Sequence, residues 1–241
     1  VTPIVGQPVR VALVGMGRMG RALEALAPER GCEIVARLDT VEMARGLSAA
    51  DLREAEVAIE FTTPASALAN TAALLALGCP VVVGTTGWNH DLPVLEAAVR
   101  RHGGRALWSP NFSVGVQLFL AIVEDAARRA REVAGFDVHI VETHHAAKMD
   151  APSGTAMAIG ERVEDGLGRT VPVSSIRVGS VPGTHEVLLD AAFEQISLRH
   201  EARDRRVFAD GALTAARWLA APRPPALYTM RDVLAPMPSL P

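Results

Sequence analysis

The sequence predicts an α/β chain in two parts: a Rossmann-like, doubly wound parallel-sheet domain over residues 1–111, then an α+β domain over 112–211 with an open, mixed, mostly antiparallel sheet. Three observations carry this expectation. As far as residue 111, short Val/Ile-rich runs alternate with Ala/Leu-rich amphipathic segments, the rhythm of βαβ units feeding a parallel sheet. The first of those runs leads straight into the glycine pattern Gly15-Met16-Gly17-Arg18-Met19-Gly20. Beyond residue 111 the rhythm changes to one long helical pattern and a series of strand-like runs joined by short turn signals, as in antiparallel sheets.

Strands are expected at 9–14, 33–38, 57–61, 81–83 and 105–108, where β-branched residues cluster between turn formers. Crossover helices are expected at 19–27, 65–77 and 92–101, with Pro64 and Pro93 near first turns, where a missing N–H does no harm. The second part reads as a helix at 114–131, a strand at 136–142, a loop rich in His and Lys, and a helix starting near Ser153. Strands at 175–179, 185–189 and 195–201 follow, separated by turn signals at Val181-Pro182-Gly183 and around Asp190. A last helix at 211–220 precedes a Pro-rich stretch and a tail at 228–234, and the segment 212–241 is expected to pack back on the first domain. The exposed face of the second sheet is the candidate surface for a homo-oligomer.

Composition narrows the function classes. The chain has 241 residues and a net charge of −3, which gives no bias toward nucleic acid or anionic membranes. Every apolar run is broken before the roughly 20 residues of a membrane span. Residues 1–8 hold no basic stretch followed by an apolar one, so no secretory signal is read and a cytoplasmic location is expected. Cys32 and Cys79 lack CxxC spacing and read as buried small hydrophobes rather than a disulfide or metal pair.

The glycine pattern sits between a strand and a helix, the context that dinucleotide binding requires. Gly15 permits the tight turn, Gly17 lets the backbone approach a pyrophosphate, and Gly20 allows close helix–strand packing, with Met16, Arg18 and Met19 completing the loop against free N–H groups of the helix start. Asp39 follows roughly twenty residues later, at the end of the second strand, where a carboxylate accepts hydrogen bonds from the adenosine ribose hydroxyls. It would repel a 2′-phosphate, and no Arg or Lys directly follows it, which points to NADH. Arg18 and Arg37 lie close enough in sequence for NADPH to be accepted as well. The bland alternative for Asp39 is a solvated acid at a strand end. Gly84-Thr85-Thr86-Gly87 and Ser109-Pro110-Asn111-Phe112 follow the next two strands. Each alone reads equally as a plain turn or a ligand loop, but together they lie on the same sheet edge as the glycine loop and are expected to line the nicotinamide half of the site.

The densest chemistry lies in Val141-Glu-Thr-His144-His145-Ala-Ala-Lys148-Met-Asp150-Ala-Pro152-Ser153-Gly154-Thr155-Ala156. Two His, a Lys and an Asp precede a helix start, with Pro152 near the first turn and Asp150 or Ser153 available as cap. The N–H groups of Gly154 and Thr155 can then receive a substrate carboxylate, neutralised further by Lys148, while His144 and Lys148 place proton donors beside the bound anion. Zinc is the rival reading of the His pair, but no further Cys or His stands at ligand spacing, so no metal is expected.

This stretch resembles the signature E-x-H-H-x-x-K-x-D-A-P-S-G-T-A of the 4-hydroxy-tetrahydrodipicolinate reductases, also called dihydrodipicolinate reductases. The resemblance extends in collinear order through residues 84–87, Pro110-Asn-Phe-Ser-Val-Gly115, Arg177-Val-Gly179, Gly183-x-His185, Phe208-Ala-x-Gly211-Ala and Tyr228-x-Met-Arg-Asp-Val-Leu234. It implies that His144 is an acid/base histidine and Lys148 a proton donor, and that His145, Ser153, Gly154 and Thr155 bind the carboxylates of a small dicarboxylate substrate. It implies cofactor contacts at Gly15–Gly20, Asp39, Gly84–Thr86 and Ser109–Phe112, and a homotetramer. The implied reaction is nicotinamide-dependent reduction of 4-hydroxy-tetrahydrodipicolinate to tetrahydrodipicolinate with loss of water, in diaminopimelate and lysine biosynthesis; the domain boundary near Asn111 is the natural hinge for closing the substrate loop onto the nicotinamide. Arg205 aligns with an arginine near the substrate in some members, although Arg203 and Asp204 replace the small residues usual beside it. The glycine loop is one residue shorter than the form frequent in the family, Ala146 and Ala147 replace polar residues, and the segment from Asp39 to Val57 lacks the family's glycine-rich, basic character. Two alternatives remain: another small-substrate dehydrogenase of the same architecture, such as one acting on an amino acid, and a non-catalytic dinucleotide sensor.

Overall fold

The computed structural model describes residues 6–133 and 135–234. The described residues form two compact units, the first containing 6–113 together with 208–234, the second running from Val114 to Val207.

In the first unit, β1 (Val9–Val14), β2 (Cys32–Leu38), β3 (Val57–Glu60), β4 (Val81–Val83) and β5 (Arg105–Trp108) are joined by β10 (Ala226–Tyr228) in one sheet of order β10-β5-β4-β3-β1-β2. Every pair is parallel. β3 and β4 are buried along their whole length, which is why they read as continuous apolar runs, broken only by Glu60 at the end of β3, rather than alternating ones. The connections are α1 (Arg18–Leu26), which starts after the N-cap Gly17, and α3 (Pro64–Ala76) and α4 (Leu92–His102), which carry Pro64 and Pro93 in their first turns; α4 ends on Gly103 in the left-handed region. The core gathers Val14, Leu38, Ala58, Leu74, Val83, Trp88, Leu95 and Val99. Because β1 pairs with β2 on one side and β3 on the other, the direction of winding reverses at β1/β3, where doubly wound sheets bind their ligands.

Three elements of this unit go beyond the sequence expectation. α2 (Thr40–Ala44) and α8 (Met230–Leu234) are short helices, and β10 adds a sixth strand. The last helix, α7 (Arg206–Ala220), starts ahead of residue 211, and its residues from Phe208 join the first unit, earlier than the expected return at 212. The reason is its small-residue face: a Cβ on Gly211 would lie 1.6 Å from the carbonyl oxygen of Phe112, so only glycine permits this approach.

The second unit holds α5 (Val114–Glu132), β6 (Asp137–His144), α6 (Gly154–Leu167), β7 (Val173–Arg177), β8 (Thr184–Ala191) and β9 (Glu194–Glu201). α5 buries Val116, Phe119, Val123 and Ala127 at helical spacing, and β6 and β8 bury alternate residues against it and α6. The sheet is mixed, order β7-β6-β8-β9, with β6–β8 and β8–β9 antiparallel. β7 does not form a hairpin with β8 despite the turn signal between them; it pairs parallel with β6 on the far side. That placement brings Arg177 opposite His144. Among the described residues no helix is long and apolar enough to cross a membrane.

Candidate active site

The carboxyl ends of β1, β3, β4 and β5 present the loops expected to hold a dinucleotide. Gly15 has φ +93°, and a Cβ on it would lie 2.2 Å from the Phe61 carbonyl oxygen, so the turn after β1 is pressed against the turn after β3. A Cβ on Gly20 would meet the Gly15 carbonyl oxygen at 2.2 Å, which seats α1 on its own loop. Gly17 differs: among the described residues nothing lies within 4 Å of a Cβ there, so internal packing does not demand glycine at this position. Gly17 is also the N-cap of α1, which carries no side-chain cap and no acidic residue in its first turn, leaving the positive end of the helix suited to a phosphate. Arg18 is exposed, and Met16 and Met19 are half-buried around it. These features fit a dinucleotide pyrophosphate.

Asp39 follows the last residue of β2 and caps α2: its carboxylate accepts the Thr40 N–H at 2.9 Å, and the Asp39 N–H donates to the Glu42 carboxylate at 2.9 Å. Arg37, the possible partner of a 2′-phosphate, is tied to Glu24 at 2.6 Å. In the loop after β4, a Cβ on Gly84 would fall 2.0 Å from the Phe61 ring, and the Thr85 hydroxyl is spent inside the chain. It accepts the Thr62 N–H at 2.8 Å and donates to Glu60 at 2.7 Å. The carbonyl of Thr85 accepts from the buried Trp88 indole at 2.7 Å, while Thr86 remains exposed. After β5, the Ser109 hydroxyl bonds the Asn111 carbonyl at 2.7 Å, Asn111 Oδ1 accepts the Ser113 N–H at 2.8 Å, Phe112 is buried edge-on to Phe61, and Pro110 is exposed.

Glu60, which sequence reading passed over, organises these loops. It is fully buried at the end of β3 and accepts from Thr62, from Thr85 at 2.7 Å and from Asn70 at 3.4 Å. Burial raises its carboxyl pKa, against the opposing pull of those bonds. An acid closing an otherwise apolar strand was the available signal.

The reactive loop is built at the end of β6. His144 is nearly buried; its Nδ1 is hydrogen-bonded to Glu142 Oε2, and its ring lies 5.2 Å from that of His185, edge to face. Glu142 Oε1 accepts from Arg177 at 2.7 Å, and Arg177 also donates to the Asp150 carbonyl at 2.6 Å, which ties the loop to the sheet. Burial by itself would raise Glu142, but bonds from Arg177, Ser175 and His144 outweigh it and hold the carboxyl down at about 2. Burial pushes His144 below its ordinary value despite Glu142, with Lys148 and Arg177 adding to the effect. The same cause takes His185 to about 4. At neutral pH the cluster therefore holds a carboxylate, a guanidinium and two neutral imidazoles.

Ser153, not Asp150, caps α6: its Oγ accepts the Ala156 N–H at 3.2 Å and bonds His185 Nε2 at 3.2 Å. Pro152 precedes the cap in a cis Ala151–Pro152 peptide, outside the helix rather than in its first turn. Lys148 Nζ meets both oxygens of Asp150 at 2.7 and 2.9 Å, and Asp150 also takes the Gly154 N–H, so the donors expected to receive a substrate carboxylate hold a carboxylate of the chain itself. Gly154 opens α6, followed by Thr155; His145 is half-buried on the turn, its carbonyl accepting the Lys148 N–H at 3.1 Å. Glu142, His144 and His185 have ligand atoms within 4.8 Å of one another, a spacing a metal ion could use. Here both Glu142 oxygens are committed, one to the Arg177 cation and one to His144, so the donor set suits a hydrogen-bonded cluster with its cation built in. Arg205 is exposed before α7.

Comparison with known proteins accounts for both units. The family described as "Dihydrodipicolinate reductase, N-terminus" matches residues 9–112, and "Dihydrodipicolinate reductase, C-terminus" matches 115–234. The 4-hydroxy-tetrahydrodipicolinate reductase of Thiobacillus denitrificans is 36% identical over 94% of this chain and 98% of its own length. That of Alkalilimnicola ehrlichii is 38% identical over 93% and 98%. Among solved structures, the dipicolinate-bound dihydrodipicolinate reductase of Paenisporosarcina sp. TG-14 has the same fold, with a TM-score of 0.75 over 94% of this chain and 100% of that one, at 22% identity. With matches running through both units and the signature loop in place at the end of β6, the chain belongs to the dihydrodipicolinate reductase family.

Proposed function

We propose that this chain reduces 4-hydroxy-tetrahydrodipicolinate to tetrahydrodipicolinate with loss of water, in diaminopimelate and lysine biosynthesis, using NADH in preference to NADPH. The observation that carries the reading is the cluster at the end of β6, where the near-buried His144, the Lys148 ammonium and the start of α6 share one loop. A bound reduced nicotinamide supplies the hydride. The residues of the chain bind the two substrate carboxylates and deliver the proton that balances the hydride. Lys148, Gly154, Thr155, Ser153 and His145 form the carboxylate-binding side, and His144 and Lys148 are the proton donors. The preference for NADH rests on Asp39 at the end of β2 and on Arg37 being paired to Glu24.

We also propose a homotetramer assembled through the outward face of the four-stranded sheet. Within the second unit α5 and α6 cover the inward face, while the outward one carries Val141, Ile176 and Leu188 interleaved with Thr143, Glu186 and Ser197. A cytoplasmic location fits the two unpaired thiols, Cys32 and Cys79. The deciding assay follows loss of reduced-nicotinamide absorbance with freshly made substrate. Turnover that needs both substrate and cofactor is expected; NADH binding with no oxidation would move the protein to the sensor class, and oxidation supported only by an amino acid would replace the substrate.

A further inference from the structure

We propose that Glu142 is the positioning residue of the active site: it fixes the proton of His144 on Nδ1, leaving Nε2 to exchange protons with the substrate, and shares the positive charge when Nε2 is protonated. The inference rests on the reading of His144 as the acid/base group and adds a residue that the reading does not contain. Glu142 and His144 are alternate residues of β6 and so project from the same face of the strand. Glu142 is 0% exposed, with Oε2 on His144 Nδ1 and Oε1 on Arg177. Arg177 is anchored in turn by its bonds to the carbonyls of Ile176 and Asp150, so the carboxylate cannot swing away. An ionised carboxylate only accepts hydrogen bonds, so the shared proton belongs to Nδ1. The other nitrogen faces Gly183, where a Cβ would stand 3.0 Å from Nε2, and glycine keeps that atom uncovered. A carboxylate behind, an imidazole between and a bare nitrogen in front is the arrangement by which a buried acid selects a histidine tautomer and stabilises the imidazolium.

The proton count closes. Neutral His144 takes one proton at Nε2 from solvent, becoming an imidazolium bonded to Glu142. It then gives that proton to the substrate as the hydride from the nicotinamide is accepted, and the ring returns to neutral. The charged and titratable groups facing the ring are Glu142 on β6, Arg177 on β7, Lys148 on the turn and His185 on β8. Of these only Glu142 favours the imidazolium. The competing account is that Glu142 merely neutralises the partly buried Arg177, in which case the His144 tautomer and titration are indifferent to it.

The test uses the full chain with nitrogen-15-labelled histidine, His144 being assigned by its absence in His144→Gln. In the parent protein near neutral pH the ring should carry its proton on Nδ1, the minor tautomer of free histidine; a proton on Nε2 overturns the proposal without any activity measurement. In Glu142→Gln, kcat should fall about ten-fold or more, as when a group orienting a functional histidine is lost. KM and NADH affinity should stay within a few-fold. Removing the one group that favours the imidazolium should move both the His144 titration and the pH-profile limb that depends on it to lower pH. An unmoved limb with kcat near the parent value also overturns the proposal. Should Glu142→Gln fail to fold, the parent tautomer decides, and Glu142→Asp, which keeps the charge at shorter reach, should give an intermediate kcat. If the parent shows no turnover with the substrate, the assignment of the reaction fails, while the tautomer still reports on Glu142.

Discussion

His144 and Lys148 share a loop but hold different partners, and this should separate them in kinetics. Lys148 is engaged by Asp150 through both carboxylate oxygens, the geometry in which an ammonium binds an anion. Lys148→Ala is expected to lower turnover about 100-fold and to raise the substrate KM as well, since it removes both an acid and a carboxylate ligand. His144→Ala should lower turnover with a smaller change in KM, because its ring is held from behind by Glu142. NADH affinity, measured by calorimetry, should change little in either variant, since the glycine loop belongs to the other compact unit. Activity within a few-fold of the parent in both would remove the chemistry from this loop. Glu142 was legible in outline, as an acid two positions before a histidine on a strand, but ending the expected strand at 142 cut the pair apart. Arg177 was not legible as its partner: the two lie 35 positions apart and meet only through the parallel β6–β7 register.

At the scale of elements, Asp39 has two duties that substitution can separate. As the cap of α2 it satisfies backbone N–H groups; as a carboxylate at the sheet edge it would repel a 2′-phosphate. Asp39→Ser keeps a capping oxygen and removes the charge. The expected result is an NADPH affinity that rises relative to NADH, with thermal stability nearly unchanged; a clear NADPH preference in the parent protein would contradict the reading of Asp39. The strands and crossover helices of the first unit were visible in sequence because each is specified by its own residues. β1 is an apolar run leading into the glycine turn, and α3 and α4 open on prolines. What escaped was decided by partners far along the chain. β10 is three residues after a Pro-rich stretch, too short to show a period, and becomes a strand only through pairing with β5. α2 is five residues, although its capping pair Asp39 and Glu42 was there to be read. β7 left the expected hairpin because β6 supplied a second edge.

For the whole molecule, the second unit covers only one face of its sheet with its own helices, and β9 is exposed along most of its length. Phe193, at the turn before β9, and Ile176 on β7 are exposed apolar side chains in that unit. Light scattering at micromolar concentration should return the mass of a tetramer. Replacing Ile176 with Lys should lower that mass, since a charge buried in an assembly interface without a partner is costly. A monomer for the parent protein would refute the proposed assembly.

If the substrate binds on this loop as proposed, the Asp150 contact gives its binding the character of an exchange. Lys148 and the Gly154 N–H are already satisfied by a carboxylate attached to the same loop, so a substrate carboxylate bound there as proposed would displace a tethered competitor whose effective concentration is high, on the order of millimolar for a short flexible link. A small inorganic anion must meet that competition with one contact. A dicarboxylate would meet it with two anchoring points, and on the proposed reading the loop would thereby discriminate by valence before any chemistry begins.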